Sequence, residues 1–311
     1  MAASNRRAMI LLLVLSGTII SICMGLRQSL GLFMRPMTLD AGISAATFGF
    51  AIALQNIVWG ISQPFVGALA DKYGARPILV WTALCYAAGL LLMVFTRGEL
   101  GLDAAGFLLG IGTSGCAFGV LMGVVTRATP PEKQSQTVGL VAAAGSLGTL
   151  VLAPVGQALI DGYGWQAAML AFACIASSMA LFALPIKNLA IELNAEPAAK
   201  NSRSSQQSLG EALREATGHR GFLFMTLAFF ACGFQLVFIT THLPAYLQLC
   251  GVAPGVSATA LGLIGLFNTI GTYGFGLLGA RYSQKHLLAL IYLLRTLFII
   301  AFLWAPISAT T

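Results

Sequence analysis

Charge is the scarcest feature of this sequence. Only 9% of its 311 residues are Asp, Glu, Lys or Arg, whereas soluble domains carry roughly 25%, so a solvated globular surface is excluded. Acidic residues are rarer still, 10 against 17 Lys and Arg, and none falls inside the long apolar runs. The six cysteines include no C-x-x-C spacing, so they read as small buried hydrophobes rather than zinc or disulfide positions. The three histidines lack ligand-like spacing, and there is no P-loop and no Ser-His-Asp set on a soluble domain. Gly110-Ile-Gly112-Thr-Ser-Gly115 has the letters of a dinucleotide fingerprint, but it lies inside an apolar run with no strand before it. No enzyme activity, metal or cofactor is expected.

Apolar chain is what the sequence has in abundance, at 58% of residues with a mean hydropathy of +0.85. Runs near the ~20 residues needed to cross a bilayer recur at about 9–34, 44–69, 78–96, 104–126, 137–159, 165–185, 221–247, 257–279 and 287–305. They predict an all-α, multi-pass membrane protein of nine spans. Arg6-Arg7 before Met9 to Met24 resembles a signal peptide, but the run is long, lacks a small-residue cleavage site and leads into more spans. The first helix is therefore expected to be retained. The one long polar segment divides the chain into 1–186 with six spans, a linker at 187–220, and 221–311 with three. Within the linker, Ser208 to Ala216 predicts a short interfacial helix.

Loop cations are distributed unevenly. Thirteen, including Arg6, Arg7, Lys72, Arg76, Arg127, Lys187 and Lys285, fall on one side, against Arg35 and Arg97 on the other. The positive-inside rule then puts the N-terminus and the linker in the cytoplasm of a cell membrane, a bacterial inner membrane by expectation. The lipid bilayer accounts for the net charge of +7 without a nucleic-acid partner.

Gly67-Ala-Leu-Ala-Asp71-Lys-Tyr-Gly74-Ala-Arg76-Pro-Ile-Leu stands between the second and third spans, and a degraded copy, Gly276-Leu-Leu-Gly-Ala280-Arg281-Tyr-Ser-Gln-Lys285, follows 209 residues later. The first copy resembles the signature loop of the major facilitator superfamily of secondary transporters, with Gly67, Asp71, Gly74 and Arg76 at the positions the pattern requires. The resemblance implies two duplicated six-helix halves, here a complete first half and about three helices of the second. Against that plan the chain is expected to be C-terminally truncated by three spans. In such transporters the loop gates the cytoplasmic side, its carboxylate pairing with cations and a helix N-terminus. Gly67 is expected to allow close helix approach and Gly74 a tight turn. The alternative is a short loop whose charges only obey the positive-inside rule.

Two basic residues lie inside spans, where charge is costly. Arg27 reads either as an arginine snorkelling to the surface or as the partner of a substrate carboxylate. Gly25-Leu-Arg27-Gln28-Ser29-Leu-Gly31-Leu-Phe33 resembles bacterial monocarboxylate and oxalate/formate transporters, which implies an anion-binding cavity. Arg295 reads as structural or functional alike. Gln55, Trp59 and Gln63 make a polar stripe on the second span, Asn268 takes the shifted position of Trp59, and Gln235 and His242 lie on the seventh span. Gln55, Trp59, Gln235, His242 and Asn268 join Arg27 as candidate substrate contacts. His242 is either a proton carrier or an inert interfacial histidine. The small residues Gly106, Gly110, Gly115, Gly119 and Gly123 are expected to line one stripe. Gly145, Gly148 and Ala153-Pro154-Val-Gly156 look like a diluted antiporter motif, a hinge or ordinary packing.

The expected function is secondary transport of a small organic anion of monocarboxylate type by alternating access, coupled to protons or to a counter-transported anion. The rival readings are a drug-type efflux transporter and a truncated membrane protein that does not transport and acts through a partner.

Overall fold

The computed structural model describes residues 3–40, 42–96, 98–193, 214–215, 217–279 and 282–304. The interfacial helix expected at Ser208 to Ala216 lies almost wholly outside them, as do Arg97, Ala280 and Arg281. Among the described residues all regular structure is helical: α1 Ala3–Ser29, α2 Met34–Asp40, α3 Ala45–Tyr73, α4 Ala75–Phe95, α5 Glu99–Cys116, α6 Phe118–Ala128, α7 Gln134–Ala183, α8 Ile186–Glu192, α9 Arg220–Leu249, α10 Pro254–Gly279 and α11 Gln284–Trp304. A 3-10 turn at Leu30–Phe33 joins α1 to α2.

Eight continuous helical segments are long and apolar enough to cross a bilayer. One of them is two passes. Gly164 leaves the helix at φ 81° and ψ 164°, a conformation that favours glycine. A Cβ built on Gly156 would come within 2.7 Å of the Phe172 ring, although residues so far apart on a straight helix stand about 24 Å from each other. The chain folds back at Gly164, and nine passes result, as the apolar runs predict.

Two local readings are corrected. The fourth span is not one helix, because Ala117 breaks it at φ −81° and ψ −133°. Gly112 and Gly115 weaken helix there, and the Thr113 and Ser114 hydroxyls donate to the Leu109 and Ile111 carbonyls, competing with the ladder. The glycines also do not share one stripe. Gly106 and Gly110 abut the Ala51 and Gln55 carbonyls of α3, whereas Gly112 and Gly115 abut Tyr86 and Thr82 of α4. Small residues thus let α5 wedge between α3 and α4.

α7 is the central strut, packing against α1, α4 and α10. Its closest crossing is with α1, where a Cβ on Gly25 would lie 2.5 Å from the Gly148 carbonyl and one on Gly148 would collide with the Ser21 carbonyl. Gly145, Gly148 and Gly156 are all spent on such contacts, which favours the packing reading of the fifth span over the hinge.

The later helices meet the first half along α7, through α10, and near Arg35, through α9. Gly31 presses on the Thr240 carbonyl and Arg35 donates to Gln248 at 3.3 Å; within the first half, Trp165 Nε1 donates to Asp40 at 2.9 Å. The α7–α10 contact continues to Asn268–Ser146 and Thr269–Ala143. Below it, a Cβ on Gly139, Gly271, Gly274 or Gly276 would meet nothing within 4 Å, so these glycines are not used in close helix contacts. Replacing Gly148 with Ala forces α1 from α7 and is expected to cost about 1–3 kcal/mol, read as a lower melting temperature in detergent. Gly139→Ala, with nothing within 4 Å, is expected to leave that temperature unchanged or slightly raised.

Candidate functional site

Arg27 approaches the end of α1, two residues before Ser29, where the α-helix tightens to a 3-10 turn. Its side chain does not snorkel freely. It reaches across to α3, where Nη2 donates to Asn56 Oδ1 at 2.5 Å and the guanidinium lies 4.8 Å from the centre of the Trp59 ring. Asn56 is fixed in turn by donating Nδ2 to the Ile52 carbonyl. The Asn56 oxygen is therefore aimed at Arg27, and the ring face attracts the cation. Nε of Arg27 is buried and unpaired. Among the described residues no carboxylate forms an ion pair with Arg27. A half-buried cation with a held orientation, a spare donor and no acidic partner has the chemistry to receive an anion by charge-assisted hydrogen bonds.

Other polar groups crowd the same region. Gln55, one turn before Trp59, is wholly buried. Tyr86 of α4, also wholly buried, is within electrostatic reach of the guanidinium. Asn56 and Tyr86 were not singled out by the sequence. Asn56 sits beside the Gln55–Trp59–Gln63 stripe rather than on it, and Tyr86 is an ordinary aromatic in an apolar run. A pattern of charge and four-residue spacing selects neither.

The remaining sequence candidates are placed elsewhere. Asn268 donates to Ser146 Oγ at 2.9 Å and so joins α10 to α7. His242 packs against Phe238, ring centres 5.1 Å apart, and against Gly49, ten residues or about 15 Å along α3 from Trp59. Gln235 is half-buried on α9. Arg295 donates to Cys232 Sγ at 3.1 Å, beside the bond from the Tyr292 hydroxyl to the Ala228 carbonyl. Both tie α11 to α9, in keeping with a structural role for Arg295.

At the signature loop Gly74 adopts φ 89°, turning α3 tightly into α4. Asp71 accepts from Arg127 Nη1 at 3.3 Å, which latches the loop to the last turn of α6. Arg76 is exposed. A Cβ on Gly67 would meet nothing within 4 Å, so the close helix approach expected there is not made in this conformation.

A family model described as Major Facilitator Superfamily matches residues 6–311. The chain belongs to the major facilitator superfamily. It is 25% identical over 255 residues to the sialic acid transporter NanX of Escherichia coli K12, covering 79% of this chain and 59% of NanX. It is 26% identical over 259 residues to the oxalate:formate antiporter of Oxalobacter formigenes, covering 82% of this chain and 60% of the antiporter. The chain thus spans about 60% of the length of these curated relatives. Among solved structures, the xylose transporter XylE of E. coli in a partially occluded inward-open conformation aligns with a TM-score of 0.64 at 13% identity, covering 90% of this chain and 74% of XylE. That likeness bears on the fold.

In this major facilitator chain the Asp71–Arg127 pair is solvent-exposed, at 60% and 35%, and such pairs contribute about 0–1 kcal/mol. Asp71→Asn is therefore expected to leave the melting temperature in detergent within a few degrees of wild type. A large loss of stability would show that Asp71 supports the fold rather than only the loop.

Proposed function

We infer that this protein acts in secondary active transport of a small organic anion, with Arg27 holding the substrate carboxylate. The observation that carries this reading is the Arg27 guanidinium: oriented by Asn56, faced by Trp59, and without an acidic partner among the described residues. In a membrane interior an uncompensated arginine is unfavourable by ~3 kcal/mol or more, and a bound carboxylate removes that penalty by charge-assisted hydrogen bonds. Relatives named as an oxalate:formate antiporter, a sialic acid transporter and monocarboxylate transporter 11 support the substrate class. The named antiporter supports exchange against a second anion, with a proton as the alternative partner.

Alternating access fits the asymmetry of the bundle. Residues 1–186 and 221–311 act as the two moving parts, joined by 187–220. The Arg35 end is held by Gly31–Thr240 and Arg35–Gln248, and glycines toward the signature loop face open space. When the open end closes, Gly67, Gly139, Gly271 and Gly274 provide flat surfaces for helix approach. The Asp71 latch with Gly74 and Arg76 keeps the loop in register as the gate moves. The concentration of loop cations on one side supports a gate and an N-terminus on the cytoplasmic side of a bacterial cell membrane.

Nothing in the site favours drug efflux. The fifth-span motif that motivated it is occupied by helix packing, and no acid from the described spans pairs with Arg27. Proteoliposome uptake of radiolabelled oxalate, formate or lactate tests the reading. Arg27→Gln, which keeps size and polarity but removes charge, is expected to lower uptake about 10–100-fold, the worth of a hydrogen bond to a charged group. Wild-type uptake by the variant would remove Arg27 from the binding role.

A further inference from the structure

A cleft of about 290 Å³ opens at the Ala45 end of α3, opposite the end that carries the signature loop. Met34, Arg35, Ile43 and Ala45 form its first-half wall, and Ala245 and Leu249 of α9 form the other. The cleft is apolar apart from one half-buried guanidinium, because the hydroxyls beside it are engaged. Thr38 Oγ1 donates to the Arg35 carbonyl at 2.8 Å, and Ser44 Oγ accepts from the Thr47 amide at 3.0 Å. Arg35 donates one bond, from Nη1 to Gln248 Oε1, and no carboxylate among the described residues pairs with it. Asp40, the acid on the same helix, accepts from Trp165 instead. A guanidinium carries five N–H donors, so Arg35 keeps its charge and further donors for a ligand. It stands eight residues beyond Arg27, about 12 Å along the chain axis, and the cleft shares no lining residue with the Arg27 contacts.

Size and position decide the ligand class. The volume is at the lower limit of ligand pockets, which begin near ~300 Å³, so the cleft takes a headgroup-sized portion of a larger molecule. Trp165 at Asp40 and the exposed Tyr163 and Tyr246 mark this end as an interfacial aromatic belt. Leu249 is 78% exposed and offers an apolar lip to an acyl chain. We propose that the cleft binds an acidic phospholipid, with the phosphate diester on Arg35 and a chain passing over Ala245 and Leu249. A zwitterionic lipid fits less well, because its own cation finds no acid in the lining. Since both halves build the site, a bound lipid bridges α2 and α9 and stabilises the contact between them.

The experiment titrates the full chain, purified in a neutral maltoside detergent, with phosphatidylglycerol, phosphatidylcholine and glycerophosphoglycerol, the acidic headgroup without chains. Bound molecules are counted by native mass spectrometry, and thermal unfolding is followed in parallel. Phosphatidylglycerol is expected to bind at least about tenfold more tightly than phosphatidylcholine and to raise the melting temperature. Arg35→Gln is expected to abolish that preference. Ala245→Phe, which fills the cleft and keeps the cation, is expected to weaken phosphatidylglycerol binding as well. Lys187→Gln removes an exposed cation on α8 and is expected to leave binding unchanged. Melting without lipid shows that each variant is folded. Equal binding of the two lipids by wild type, or a preference that survives both cleft variants, would overturn the proposal. An equal loss in Lys187→Gln would also overturn it, because acidic lipid would then follow net charge alone. Glycerophosphoglycerol binding as tightly as the lipid would overturn the lipid assignment in favour of a soluble phosphate ester.

Discussion

The candidate site depends on an unbalanced charge. Arg27 stands inside an apolar bundle with a side-chain amide and an indole ring as its direct contacts, and no carboxylate among the described residues neutralises it. Lipid and protein interiors both disfavour such a cation. It is retained because α1 and α3 hold it in place, and the fixed geometry of Asn56 shows how. The side-chain amide bonds backward to its own helix and forward to the guanidinium. On the function proposed above, the partner that Arg27 takes is an anion, and the rest of the architecture serves to admit it.

Glycine supplies that means. Where helices must not move apart, glycines are filled by neighbouring backbone: Gly25 and Gly148 at the α1–α7 crossing, Gly106 and Gly110 where α5 meets α3. Elsewhere glycines face empty space, as at Gly67, Gly139 and Gly271, the positions at which the proposed closure brings helices together. The two sets separate glycines used in tight helix crossings from glycines with no neighbour beside them. The same residue type serves both, since a missing side chain permits either a tight permanent contact or an approach yet to be made.

Much of the fold was legible in the sequence, because bilayer spans are specified by long apolar runs and those runs are coarse enough to read. The hairpin at Gly164 was anticipated by the polar break between two runs. The break at Ala117 was not, because hydropathy is blind to backbone geometry and the local signal was carried by Gly, Thr and Ser hydrogen bonding. The site divided in the same way. Arg27 stood out as a charge where charge is costly, and Trp59 lay on a four-residue stripe with Gln55. Asn56 and Tyr86 needed the third dimension, because what distinguishes them is which helix they face. Asn268 and Arg295 had the chemistry of binding residues, but the neighbouring helices engage both in interhelical hydrogen bonds.

The most direct measurement is the position of a bound anion. A crystal structure with 2-bromopropionate, its bromine located by anomalous scattering, places the carboxylate relative to α1 and α3. The account requires a carboxylate oxygen within about 3 Å of an Arg27 nitrogen, with Trp59 moved from the guanidinium. A carboxylate bound elsewhere in the bundle, with Arg27 still beneath Trp59, would contradict it.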